Sequence, residues 1–266
     1  DRRDEGKSGE MEVTKAQILT ALETVDRERT RREDDARLMN RVLLIKRYQQ
    51  RRFEQTYAHL LNSTRYAAAS RFFLEELYGP RDFQARDQQF ARIVPKLVSM
   101  FPAEVIETVG TLAALHAVSE QLDTLMAERL NVDVIDRAGY AAAWRQVGKR
   151  NEREFQLQAT LAIGKSLDRF TRHPWIVKSL RWMRKPANLA GLGDLQSFLE
   201  RGLSCFASLG GASEFLATIE TRERALMDML FQAGQPSSGS CESNSIWAWL
   251  PARLVNDPVS IDTPNL

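Results

Sequence analysis

Cysteine is nearly missing. Cys205 and Cys241 are the only two in 266 residues, too few for a disulfide framework, and no C-x-x-C or Cys/His spacing of a zinc site accompanies them. Both read as free thiols in a reducing compartment. Long apolar runs are missing as well. Nothing approaches the ~18 consecutive apolar residues of a membrane helix. The opening Asp1-Arg2-Arg3-Asp4 has no apolar signal core. The expectation is a cytoplasmic protein without membrane insertion. Neither sign of charge dominates: 37 Lys and Arg face 35 Asp and Glu, for a net +2, so the global footprint expected of a nucleic-acid binder is lacking.

Chemical motifs are absent too. There is no P-loop, no G-x-S-x-G and no H-E-x-x-H. Gly191-Leu192-Gly193 is followed by Gln196 where a third glycine would stand, and no strand precedes it. Thr56, Ala113 and Phe170 lie three residues before His59, His116 and His173, so the Glu-x-x-His pairs of a di-metal bundle do not occur. These patterns identify no catalytic residue, no metal site and no cofactor.

What remains is helical. Apolar residues make up 43% and charged residues 27%, with no strand-type alternation of useful length and no internal repeat. The chain reads as all-α: a single multi-helix bundle of about seven or eight helices over residues 14–233, after a flexible polar lead at 1–13 and before a Pro/Ser-rich disordered tail at 234–266. Thr14-x-x-Gln17 is a capping box that opens a helix carrying Ile18, Leu22 and Val25. A mixed-charge run, 26–37, follows. No Gly or Pro occurs between Glu10 and Tyr78, which predicts one long helix or two with a polar break.

The next helix, about 65–78, stops at Gly79-Pro80, and Asp82 caps its successor. Pro95 should kink or restart that successor. The helix from Pro102 to about Leu130 is apolar on most sides and is the candidate central helix. A single helix over about 136–170 carries Tyr140, Trp144, Val147, Phe155 and Ala162 on one side, interrupted by Asn151 and Gln158. His173-Pro174 opens a short helix that Pro186 ends. Gly202 lies on the apolar line of the next helix, which predicts close approach of a neighbour. Trp247 and Trp249, in the tail, are expected to dock on the protein's own surface in preference to a partner.

Three groups of residues are candidates for function. On the central helix His116, Ser119, Glu120 and Asp123 stack along one strip. With Asn151 and Gln158 they form either a polar seam between helices or a ligand site. Asp87 and Arg222 each strand a charge on an apolar helix face, and burial of a lone charge is costly, so they are expected to pair. Trp175, Lys178, Arg181, Trp182 and Lys185 form a candidate anion-binding surface; the plainer reading packs the tryptophans inward and lets the lysines snorkel.

The run Phe72-Phe73-Leu74-Glu75-Glu76-Leu77-Tyr78-Gly79-Pro80, with Arg86-Asp87, Arg184-Lys185-Pro186-Ala187 and Leu195-Gln196-x-Phe198-Leu199-Glu200, resembles an uncharacterised family of proteobacterial all-helical proteins. The resemblance spans roughly residues 40–232. It implies a helical single domain and no particular chemistry. Two functions compete. The first is a non-enzymatic interaction or regulatory module with a protein partner, self-associating through its long N-terminal helix. The alternative is a small-molecule or cofactor binder, or an enzyme, with a pocket near His116 between the central helix and the helix of 136–170.

Overall fold

The computed structural model describes residues 2–76, 84–130, 134–232 and 246–255. The corner at 77–83 and the linker at 233–245 lie outside them. Helix α1 (Arg2–Glu33) already begins at Arg2, where the sequence predicted a flexible lead. The mixed-charge run breaks after it. Asp35 caps α2 (Ala36–Thr56) by accepting from the amides of Arg37 and Leu38 at 3.0 and 3.1 Å. A single turn, α3 (Ala58–Leu61), leads to α4 (Ala67–Glu76).

Helix α5 (Gln84–Met100) continues through Pro95, and α6 (Ala103–Arg129) is the expected central helix. It packs against α1, α2, α5 and two further helices. Those two, α7 (Arg137–Val147) and α8 (Arg150–Thr171), occupy the stretch read as one continuous helix. The division falls at Gly148 (φ 65°) and Lys149, whose left-handed φ of 57° no helix interior accommodates. Then come α9 (Pro174–Leu189), which runs through Pro186, α10 (Gly193–Ser208) and α11 (Ser213–Gln232). The described residues thus hold eleven helices, more than the seven or eight expected, because polar breaks and single turns interrupt long periodic stretches.

The tail differs most from expectation. Residues 246–255 are not disordered: a 3-10 turn (Ile246–Trp249) precedes β2 (Arg253–Val255), which pairs antiparallel with β1 (Val134–Asp136) in the register Ile135↔Leu254. Leu250 is fully buried, and the Tyr48 hydroxyl donates to the Pro251 carbonyl at 2.9 Å. Trp247 and Trp249 pack on a core formed by Val42, Ile45, Tyr48, Met126, Tyr140 and Leu230. Burial of these side chains outweighs the low regular-structure propensity of the segment.

A second aromatic core joins Phe53, Tyr57, Phe73, Phe206 and Phe215. At its edge Gly202 gives the expected close approach: a Cβ built there would stand 3.0 Å from Cζ of Phe72. Smaller clusters seat Ile18 and Leu22 of α1 against Val94 and Ile106, and Phe170 against Ile176 and Leu203.

Candidate functional site

An unbroken α6 keeps His116, Ser119, Glu120 and Asp123 in phase, and all four line one cavity of about 200 Å³. That volume exceeds the ~150 Å³ of an engineered cavity that admits benzene. The cavity follows α6 from Val109 to Asp123, about 21 Å of helix axis. Its lining is mixed: Phe90, Val109, Leu112, Leu195 and Phe198 are apolar, whereas Lys46, Gln49, Glu76, Asp87, Asp123 and Arg153 are polar or charged.

Charge in the lining is mostly paired. Glu120, 5% exposed, takes Arg32 and Lys46, the latter at 2.7 Å. Lys46 also reaches Asp123 at 2.9 Å, and the Gln49 amide donates to Asp123 at 3.1 Å. Arg32 further donates to the Glu120 carbonyl at 2.5 Å and to the Thr124 hydroxyl at 2.6 Å. Burial alone would raise the Glu120 carboxyl, but Lys46, Arg32 and His116 outweigh it and hold the group well below its ordinary value. For Lys46 burial pulls downward, and Asp123 with Glu120 reverses the sign, leaving its ammonium above the usual lysine value.

The expected Asp87–Arg222 pair does not form. Asp87 instead binds Arg29 of α1 at 2.6 Å and the His116 Nε2 at 2.9 Å. Arg222 donates to the Thr56 carbonyl and lies over the rings of Tyr57 and Trp249. Each charge was rightly expected to find a partner. The partners are different because α1 folds back across α5 and α6, bringing the charged run of 26–37 onto the core. Asn151 and Gln158 do not join the strip either: both are exposed, and Gln158 donates to Glu154 at 2.9 Å. The break at Gly148 and Lys149 resets the helical phase, which turns these two residues outward and Arg153 and Gln156 inward. Gln156 donates to the Ser119 hydroxyl at 2.9 Å.

Arg153 is the unusual member. It is 5% exposed, and its Nε and Nη2 have no hydrogen-bond partner among the described residues. Its guanidinium stacks 3.3 Å from the centroid of the Trp144 ring, whose own buried Nε1 is also unpartnered among them. Burial pushes the Arg153 guanidinium down to about 10, against the opposing effect of Tyr140, Asp123 and Glu152. Sequence reading missed this residue, although the signal was present. Arg153 precedes Leu157, Leu161 and Gly164 on the buried line of α8, a stranded charge of the same kind as Asp87. Among the described residues no group of His, Cys, Asp and Glu is placed to hold a metal ion.

The surface candidates behave differently from the plainer reading. Trp175 and Trp182 are 48% and 82% exposed, and they point away from the core that Ile176 and Leu180 contact. No single helix among the described residues is long and apolar enough to cross a membrane.

Neither a curated protein nor a solved structure matches the chain. A family model described as "Domain of unknown function (DUF8198)" matches residues 27–237. That span takes in α2 to α11 and the cavity lining apart from Leu22, and the chain belongs to this family.

Proposed function

We propose that the protein binds a small organic anion in the cavity beside α6, with Arg153 as the receptor for its carboxylate or phosphate group. One observation carries this reading: a buried guanidinium lines a cavity with two donors unused. Nε and Nη2 form one edge of the guanidinium plane, and that edge matches two oxygens of an oxyanion in a bidentate pair. A buried polar group normally finds a partner in its own chain. Here Arg153 lines a cavity, so a partner from outside has room beside it, reached by a small shift of the side chain. Trp144 adds a third unpartnered donor and an aromatic wall, and the apolar lining residues, Leu112 and Phe198 among them, suit a hydrocarbon or ring attached to the anion.

The competing reading, an interaction or regulatory module, would need a surface other than Ile18, Leu22 and Val25 of α1, which are buried within the chain. The test is native mass spectrometry of the full chain purified from its own host, followed by thermal-shift titration with benzoate, short-chain carboxylates and phenyl phosphate. The expected outcome is a retained organic anion and a titratable rise in melting temperature, both lost in Arg153→Met. Equal retention by the variant, or no stabilisation by any oxyanion, overturns the proposal.

A further inference from the structure

A separate observation concerns α9. From Arg169 to Gly193 the chain carries Arg169, Arg172, Lys178, Arg181, Arg184 and Lys185 and not one Asp or Glu, in a protein whose charges otherwise nearly balance. Three of these cations are partnered: Arg169 with Glu104, Arg172 with Asp168 and Arg184 with Glu200. Lys178, Arg181 and Lys185 are exposed and make no ion pair among the described residues. On the same outer face, Trp175, Trp182 and Leu189 recur every seven residues and are 48%, 82% and 91% exposed. At 1.5 Å per residue they stand about 10 Å apart in a nearly straight row. Ile176, Leu180 and Ala187 occupy the opposite face and hold the helix to the body of the protein.

We infer that α9 lies in the plane of an anionic lipid surface, with Trp175, Trp182 and Leu189 entering the headgroup boundary and Lys178, Arg181 and Lys185 facing acidic headgroups. An exposed apolar row beside a basic one, on a helix anchored by its other face, is the geometry of an interfacial helix. Tryptophan favours that interface because its ring is apolar and its N–H remains wet. A single-stranded nucleic acid would be served by stacking rings along a groove. This row lies on a convex helix and includes the aliphatic Leu189, which offers no stack but inserts readily among acyl chains.

The test is co-sedimentation of the full chain with phosphatidylcholine vesicles containing about 30 mol % phosphatidylserine, against pure phosphatidylcholine. Each Lys or Arg near an anionic leaflet is worth about 1 kcal/mol, or about fivefold in partitioning. Lys178→Glu with Lys185→Glu should therefore weaken binding by about 25-fold or more, and Trp182→Ala with Leu189→Ala should weaken it while leaving its salt dependence intact. All four positions are exposed, and circular dichroism checks that the fold survives. Absence of binding to the anionic vesicles, or equal binding by the charge-reversed variant, overturns the inference. So does tighter binding to a single-stranded oligonucleotide that the same substitutions abolish, which would assign the face to nucleic acid.

Discussion

Arg153→Met removes one charge and keeps an unbranched side chain of similar reach. The fall of the Arg153 guanidinium from its ordinary value to about 10, at about 1.4 kcal/mol for each tenfold, corresponds to a penalty of about 3 kcal/mol on the charged folded form. The sign follows from proton binding. The unfolded chain holds this proton more tightly, so the penalty is present in full at neutral pH and is relieved only as the pH rises above about 10 toward the ordinary guanidinium value. Losing the cation–π contact with Trp144 at 3.3 Å removes about 2 kcal/mol of desolvated attraction. The ligand-free Met variant should therefore be more stable than the parent by about 1 kcal/mol, in line with the general result that hydrophobic replacement of poorly compensated buried charge stabilises. For a chain of this size that is about 2–4 °C in melting temperature, readable by calorimetry or urea unfolding of ligand-free protein. Anion at a hundred times its Kd should invert the order, adding about 2.7 kcal/mol to the parent alone. A Met variant that is instead less stable by about 3–5 kcal/mol would show that Arg153 already has the partner of an ordinary buried ion pair, and the reasoning would fail.

Glu120→Gln leaves Arg32 without its carboxylate and should cost about 3–5 kcal/mol in urea unfolding. Because the folded value of Glu120 lies below 4.5, its contribution is complete above that pH and is lost as the pH falls below it, so the acid limb of the stability profile should be shallower in the variant. Lys46 works in the opposite direction: its folded value lies above 10.5, and Lys46→Met should flatten the alkaline limb above that pH. Leu250→Ala should cost about 2–5 kcal/mol by leaving a cavity in the main core; a change within about 0.5 kcal/mol would mean that the segment 246–255 is not docked in solution. Gly202→Ala crowds Phe72 at a cost of about 2 kcal/mol, of which better helix propensity offsets about 1. Phe72→Leu in the same chain should recover the remainder, and failure to recover it would place the strain elsewhere.

How far the sequence exposes this site depends on helical phase. Helix α6 runs unbroken for 27 residues, so offsets of three, four and seven placed His116, Ser119, Glu120 and Asp123 correctly along one wall. Across Gly148 and Lys149 the same counting fails, because two left-handed φ values rotate α8 relative to α7. The polar residues selected beyond that point, Asn151 and Gln158, fell on the solvent face. Counting within α8 alone, from Leu157, Leu161 and Gly164, turns Arg153 inward. Short strands escape periodicity altogether: three residues in β1 and three in β2 provide no alternation long enough to recognise, so their pairing with each other was out of reach. Partner choice is the other limit. Asp87 was recognisable as a charge that needed a cation, but Arg29 is one of several arginines in a uniform charged run, and only the packing of α1 over α6 selects it. A stranded charge on a continuous helix is thus visible in sequence, while its partner is fixed by tertiary packing. Arg153 meets the first condition, and packing leaves two of its buried donors beside the cavity without a partner among the described residues. For that reason its counter-ion is proposed to come from outside the chain.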